Sequence, residues 1–506
     1  MRFRTALLAG LGLAVAGTLP AQANTPAEAC ANLAATDAPA TKIEKASLVT
    51  DREDLPDFCQ VEGRIEERIG FVMRMPASDW NGKFVVAGCG GFCGYLAPDK
   101  PGHSNTLNSA LAAGYTAIQT DSGHQAVNTD TDWAIGDPRA LELFAGAWMP
   151  LAVATGQHIT STYFAREPRR TYFSGCSNGG RLGLYAAQRY PDLFDGIAAG
   201  DGVFDLSGYG GIYGLWLLQT TRDRDGRAVI DQAKVPLLSR HVKQRCDALD
   251  GVEDGIVSRP QQCEPDVAAL RCRAGETAEC LTDAEVSAIE RLYRGANANG
   301  EQLFPGVAPG SEDYWTVWLV GTDDDRAWGE RASEGYLRLA YGIPSSEPFR
   351  PHDYALADEI DNIRALSPLL DATNPDLGGL NAAGTRLFYY HGLADPMMLP
   401  ERFFDYVEQA RQVTGESSLA ETTRFVTVPG FGHCWERTGL TADEFDPLDI
   451  IDRWVEQGEA PDRIRALQRD ADGEVQRSRP LCALPARAVY QGGDTSRAEN
   501  FACETP

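Results

Sequence analysis

Basic residues are scarce in this chain: 46 Lys and Arg stand against 72 Asp and Glu, a formal net charge of −26. A surface of that sign repels phosphate backbones and anionic headgroups, so nucleic acid and a membrane surface are excluded as partners. Long apolar runs are also wanting. Beyond the first two dozen residues no segment approaches the roughly 20 apolar residues that a membrane span needs. Histidine is rarer still, with seven in 506 residues, and none falls in an H-E-x-x-H pattern, which removes helical zinc-protease chemistry. Internal repeats and low-complexity stretches are missing, and 43% hydrophobic residues with nine Trp exclude disorder as the main state. What is left is a soluble, acidic chain long enough for two or three core-forming units.

What is present begins with residues 1–23. Arg2 and Arg4 form a basic start, residues 6–17 a small apolar run, and Ala21-Gln22-Ala23 a small-residue cleavage signature. This reads as a secretory signal peptide, so the mature chain is expected to be secreted or periplasmic. In that oxidising compartment the 12 cysteines allow six disulfides.

The N-terminal half alternates strand-like and helical segments. Residues 84–87 form an apolar run entering a glycine-rich loop, 114–120 and 171–174 are further strand-like runs, and 138–162 and 180–189 have helical composition and spacing. That order predicts a mainly parallel sheet with crossover helices. From about 201 to 371 the rhythm stops, and Trp216, Trp315, Trp318 and Trp328 accompany four clustered cysteines and Asp-rich turns. Strand-like runs return at 385–390 and 423–428, with a helix near 401–413. A sheet interrupted by an insertion is the simplest account: a main unit of residues 24–200 and 371–506, and an inserted lid of residues 201–370.

The sharpest local signal is Gly175-Cys176-Ser177-Asn178-Gly179-Gly180, a G-x-S-x-G between a strand-like run and a helical one. So tight a strand-to-helix turn needs glycines on both sides of the serine and presents its Oγ at the carboxyl edge of a sheet. A serine hydroxyl becomes a nucleophile only when a base takes its proton and an acid orients that base. Here acid and then histidine should follow in the chain, each on a loop after a strand. His433, in Pro429-Gly430-Phe431-Gly432-His433-Cys434 directly after 423–428, is the expected base. Asp395, in His391-Gly392-Leu393-Ala394-Asp395-Pro396, is the expected acid, and His391 is expected to support its turn. Oxyanion donors are expected from the N–H of Asn178 and from loop 88–94, where Gly91 is the choice. A Gly/Ser-rich turn and a packing histidine are the competing readings; strand context and chain order weigh against them.

If Ser177 and His433 meet, Cys176 and Cys434 come side by side, and a disulfide between them is expected. Cys89 and Cys93 have two readings: a small closed loop that stiffens the oxyanion donor, or a two-cysteine metal site, for which no convincing His or Cys partner set is present. Residues 246–256 place four carboxylates in eight residues among glycines, an arrangement able to converge on a hard cation such as calcium. The spacing is not that of an EF-hand, and an ordinary acidic turn competes.

Together the glycine loop 88–94, the Thr120-Asp121-Ser122-Gly123-His124 segment, the G-C-S-x-G-G elbow, the H-G-x-A-D turn and the G-H-C loop resemble the tannase and feruloyl esterase family, which also contains the hydrolase of mono(2-hydroxyethyl) terephthalate. The resemblance covers nearly the whole mature chain. It implies an α/β-hydrolase fold with a large lid inserted between the nucleophile and acid strands, and a Ser177, His433 and Asp395 triad above the Cys176–Cys434 disulfide. It implies a structural Ca2+ in the C-D-x-x-D-G-x-x-D-G motif, held by the side chains of Asp247, Asp250 and Asp254 and the carbonyls of Val252 and Ile256. It also implies the pairs Cys246–Cys263, Cys272–Cys280, Cys482–Cys503 and Cys30–Cys59. Cys89 is left with Cys93, a departure from the commoner glycine-only oxyanion loop. The implied function is a secreted serine esterase that cleaves small aromatic esters, feruloyl or galloyl, through an acyl-enzyme. A terephthalate half-ester is the alternative substrate, and a calcium-stabilised, non-catalytic binding protein is the alternative of another class. Tyr314, Trp315 and Trp318 are the aromatic candidates for stacking on a phenolic ring, with lid-core packing equally open.

Overall fold

Three antiparallel strands begin the sheet: β1 (Thr41–Val49), β2 (Phe58–Ile65) and β3 (Ile69–Pro76). The computed structural model describes residues 25–36, 38–99, 106–276, 278–322, 324–434 and 441–505. The expected signal peptide, residues 1–23, lies outside them. The strands read from the sequence begin only at residue 84 and omit β1, β2 and β3; β1 is a half-exposed edge strand carrying Lys42, Glu44 and Lys45, whereas β3 is buried along its whole length. Charged side chains on an edge hide the alternation by which a strand is recognised, and they also discourage edge-to-edge pairing.

Four strands follow, β4 (Lys83–Ala87), β5 (Thr116–Thr120), β6 (Arg170–Cys176) and β7 (Gly196–Gly200). A short hairpin of β8 (Ala296–Ala298) and β9 (Glu301–Phe304) lies within the insertion, and β10 (Arg386–Gly392) and β11 (Thr423–Val428) return to the sheet. One nine-stranded sheet results, in the order β1-β2-β3-β5-β4-β6-β7-β10-β11. It is antiparallel as far as β5 and parallel from β5 to β11. Two small antiparallel pairs, β12 (Arg463–Arg469) with β13 (Val475–Cys482) and β14 (Arg487–Tyr490) with β15 (Phe501–Glu504), close the chain.

The central strands are buried almost throughout because both faces are covered. In β4, Phe84 and Val86 enter one core while Val85 enters the other; in β10, Leu387 and Tyr389 oppose Phe388 and Tyr390 in the same way. The first of these cores runs unbroken from Phe173 and Leu184 beside the sheet into Tyr209, Leu238, Ile289 and Trp318 of the insertion. Among the described residues no helix is long and apolar enough to cross a membrane.

The helix expected over 138–162 is broken. Pro138–Glu142 leads into a wide π-type turn, Leu143–Ala147, before the helix Trp148–Phe164. The break falls at Gly146, whose φ is 146°, and a Cβ there would lie 2.7 Å from the Tyr185 ring. Packing against the helix that follows Ser177 therefore overrides local helical propensity, and it frees carbonyls that matter below.

Candidate active site

Ser177 sits between β6 and the helix Asn178–Arg189 at φ 63° and ψ −122°, a backbone conformation that costs a non-glycine residue on the order of 1–3 kcal/mol. The glycines around it are there for close approach. A Cβ on Gly175 would lie 2.9 Å from the Gly179 Cα, and one on Gly88 would lie 2.8 Å from the same atom. The elbow, its helix and the glycine-rich loop thus touch backbone to backbone.

Sheet register brings the other groups to this edge. Cys176 pairs with Gly200, Tyr390 pairs with Gly200, and Gly392 pairs with Val428, so β6, β7, β10 and β11 end at one level. The loops after β10 and β11 carry Asp395 and His433. His433 Nδ1 donates to Asp395 Oδ2 at 2.6 Å, and Asp395 Oδ1 accepts the N–H groups of Met397 and Met398, each at 2.9 Å. Burial alone would push the Asp395 carboxyl up, but the charge and hydrogen bond of His433 hold it below its ordinary value. His391 Nε2 donates to the Met398 carbonyl at 2.7 Å and its ring stacks on Phe403, so it does steady the Asp395 turn. A disulfide joins Cys176 to Cys434 with their Cα atoms 5.9 Å apart, holding the neighbours Ser177 and His433 at the same edge.

Asp201 was passed over in the sequence, although it follows β7 at the same sheet edge. It is fully buried, and its φ is 39°. One oxygen of Asp201, one of Asp395 and a ring nitrogen of His433 all lie within 4.8 Å of one another. The available signal was an aspartate directly after a buried strand, in Ala199-Gly200-Asp201-Gly202.

On the other side of Ser177, Gly91 and Asn178 line the same cavity as the serine. Asn178 opens its helix, so its N–H has no intrahelical acceptor. The Asn178 side chain donates to Cys93 Sγ at 3.1 Å, and Cys93 is bonded to Cys89, so these two form the small closed loop and not a metal site. His124 Nε2 donates to the Phe92 carbonyl at 2.8 Å while its ring stacks on Trp133, which buttresses the loop from behind. Arg181 is entirely buried. Its Nε donates to Asn178 Oδ1 at 2.7 Å, and its remaining donors reach the carbonyls of Phe144, Ala145 and Leu370. Two of those carbonyls belong to the wide turn described above.

The cavity at Ser177 is walled by Phe92, Val203, Leu206, Tyr209, Trp328, Met397 and Met398, with Ala332 and Ser333. Among the described residues no charged side chain lines it. The hydroxyls of Tyr209 and Ser333 are buried without a hydrogen-bond partner among the described residues. Of the two readings left open for Tyr314, Trp315 and Trp318, the structure gives packing, since all three are buried and off the cavity wall: Trp315 donates to Ser311 Oγ, Tyr314 donates to the Gly430 carbonyl, and Trp318 packs edge-on against His433 at 4.7 Å. Trp328, in contact with Trp318, takes that place on the cavity wall. A wider cleft of about 750 Å³ around Asp205, Phe304, Arg364 and Arg402 holds no nucleophile.

The remaining cysteines pair as Cys30–Cys59, Cys246–Cys263, Cys272–Cys280 and Cys482–Cys503, and no cysteine is free. The acidic loop folds on its own backbone: Asp247 accepts from the N–H groups of Asp254 and Gly255, Asp250 from Val252, and Asp254 from Ile256. Asp254 also pairs with Arg479 and with Arg477. The carboxylates of Asp247, Asp250 and Asp254 do not all lie within 4.8 Å of one another. The donor set is nonetheless all oxygen, which is the chemistry of a hard cation. Burial and the Asp254 charge raise the Asp250 carboxyl above its ordinary value, the strain that a bound cation relieves.

Comparison with known proteins places this architecture. The family model for tannase and feruloyl esterase matches residues 52–504. An uncharacterized esterase of Xanthomonas campestris pv. campestris is 30% identical, with 97% of this chain and 93% of that protein aligned. Mono(2-hydroxyethyl) terephthalate hydrolase of Piscinibacter sakaiensis is 31% identical over 89% of this chain and 85% of its own. Among solved structures, feruloyl esterase B from Aspergillus oryzae superposes with a TM-score of 0.81 at 23% identity, over 95% of this chain and all of that one, which shows a shared fold. With the family match spanning residues 52–504, the protein belongs to the tannase and feruloyl esterase family and is a carboxylic ester hydrolase.

Proposed function

We propose that the protein hydrolyses esters of neutral phenolic acids through Ser177, His433 and Asp395. The observation that carries this reading is the 2.6 Å hydrogen bond from His433 to a buried Asp395 at the sheet edge where Ser177 stands in its strained turn. Ser177 Oγ attacks the ester carbonyl carbon as His433 accepts its proton, and Asp395 stabilises the imidazolium that forms. The N–H groups of Asn178 and Gly91 receive the oxyanion. Collapse of the tetrahedral species expels the alcohol with the proton from His433, and water then releases the acid from Ser177 by the same steps in reverse.

The cavity favours one substrate class over its alternative. A terephthalate half-ester would bring its second carboxylate against a wall on which no described residue supplies a cation, and a buried unpaired charge is strongly disfavoured. A phenolic hydroxyl instead finds the unpartnered hydroxyls of Tyr209 and Ser333. The free space is about 50 Å³, whereas a cavity that admits benzene measures about 150 Å³. Binding therefore requires the wall to yield, and Met397 and Met398 are the adaptable side chains there. The test is hydrolysis of methyl ferulate, methyl gallate and mono(2-hydroxyethyl) terephthalate by the wild type and by Ser177→Ala. The neutral esters should exceed the half-ester by at least about 100-fold in kcat/KM, since an unpaired charge costs several kcal/mol, and Ser177→Ala should turn over none. The opposite ranking defeats the substrate assignment; an active Ser177→Ala defeats the nucleophile.

Two further parts of the reading accompany this one. Six disulfides support an exported protein, because such bonds persist in oxidising compartments. Asp247, Asp250 and Asp254 with the carbonyls of Val252 and Ile256 would hold a calcium ion, which would cross-link the loop and neutralise its charge without taking part in catalysis.

A further inference from the structure

Asp201 plays no part in the mechanism above, yet it is built into the catalytic edge. Its Oδ1 accepts the Gly392 N–H at 2.7 Å, and its Oδ2 accepts the Cys434 N–H at 3.1 Å. One carboxylate thus fastens the end of the strand that leads to Asp395 to the loop that carries His433. Its own N–H donates to the Tyr390 carbonyl at 3.0 Å. The left-handed backbone and the complete burial of an acid are both unfavourable in themselves, so the surrounding contacts must enforce them.

The groups facing Asp201 come from every neighbouring element. β10 presents Tyr389 and His391, the acid loop presents Asp395, the base loop presents His433, and β6 presents only the uncharged Cys176–Cys434 disulfide. His391 Nδ1 lies 3.8 Å from Asp201 Oδ1 and has no hydrogen-bond partner among the described residues. Because His391 Nε2 already donates to Met398, a neutral His391 turns a lone pair toward Asp201. A carboxylate facing that lone pair is repelled, and a proton placed between the two relieves it. Burial, with the Asp395 charge adding to it, pushes Asp201 up to about 7, and burial pushes His391 down to about 4.

We propose that Asp201 is a positioning residue for His433: its two backbone hydrogen bonds set the base loop on the acid strand, and whether its own carboxyl, facing His391, carries a proton decides whether a second negative charge supports the His433 imidazolium. The most active form has His433 neutral and Asp201 ionised. This rests on His433 being the base of the proposed reaction. The acid limb of kcat/KM then reports two ionisations that belong to the cluster as a whole and not to single residues.

Asp201→Asn tests it with an uncharged ester. The asparagine oxygen can satisfy only one of the two backbone donors, and the second charge is gone. The plateau kcat should fall about tenfold with KM within about twofold, and the acid limb should become a single ionisation with its midpoint about one pH unit lower, since a carboxylate within about 4–6 Å raises a histidine by that order. Wild-type and variant pH profiles that superimpose overturn the proposal. If the variant does not fold, the wild-type profile decides alone: a limb steeper than one ionisation supports the proposal, and a limb that fits one ionisation overturns it. Ser177→Ala, measured alongside, separates the failures, because activity in that variant defeats the catalytic reading whatever Asp201 does.

Discussion

Arg181 is placed where a cation is least comfortable: in the first turn of a helix, against the helix dipole, entirely buried, and bonded to neutral acceptors. Burial pushes its guanidinium down to about 10, so it stays charged at neutral pH. Stability alone does not account for such a residue. Its position explains it better, since its Nε orients Asn178, whose N–H is the proposed oxyanion donor, and its charge adds to the positive end of the same helix. Arg181→Met should therefore lower kcat about 100-fold, the scale of one lost oxyanion donor, with KM within about threefold. It should also destabilise by about 1–3 kcal/mol for each carbonyl left unpaired. Arg181→Lys keeps the charge and should recover part of kcat but little of the stability. Steady-state kinetics and thermal melts of the two variants check this, and equal losses of kcat in both would reduce Arg181 to a structural anchor. The sequence named Ser177, His433 and Asp395 because motif, chain order and strand context act over a few residues. Arg181 leaves no local trace and Asp201 only its place after a buried strand, because the partners that give them a role, Leu370 and Cys434 among them, lie up to 233 residues away.

At the level of elements, the four parallel strands β6, β7, β10 and β11 end together and deliver one polar side chain each to the same edge, directly or by a short loop. The Cys176–Cys434 bond crosses that edge and closes a loop of 258 residues. In the chain-entropy model such a bond contributes about 5 kcal/mol to stability. Its larger effect should be on geometry, because it joins the residues adjacent to the nucleophile and the base. The Cys176→Ser, Cys434→Ser double variant should lose at least about tenfold in kcat, as small displacements of reacting groups cost up to 10²-fold. It should also melt earlier than a Cys482→Ser, Cys503→Ser double variant, whose loop spans only 21 residues. Equal kcat in wild type and the first variant would confine the bond to stability. Runs such as 423–428 were readable as strands because they are apolar on both faces. The edge strand β1 and the C-terminal pairs were not, because partly exposed strands lose the apolar pattern.

For the whole molecule, the inserted residues do not fold apart from the sheet. They share its apolar core, and Asp205, just beyond β7, pairs with Arg364 of the insertion and with Arg402 of the helix after β10. The acidic loop is tied likewise to the C-terminal strands through Asp254 with Arg477 and Arg479. A calcium ion bound there would stabilise the joined structure, so chelation should lower the melting temperature and micromolar calcium restore it, since a ligand present at 100 times its Kd adds about 2.7 kcal/mol. Scanning calorimetry with and without a chelator reads this directly, and an unchanged melting temperature would count against the ion. By itself the sequence pointed to Ser177, His433 and Asp395, to the cysteines beside two of them, to the family, and to a chain with 72 acidic against 46 basic residues, all of which are encoded in short motifs and composition. Only the tertiary structure decided which aromatic residue walls the cavity, that no described residue on that wall is charged, and that a second carboxylate, Asp201, stands beside His433. Those depend on distances between segments far apart in the chain, which are set by packing of the common core.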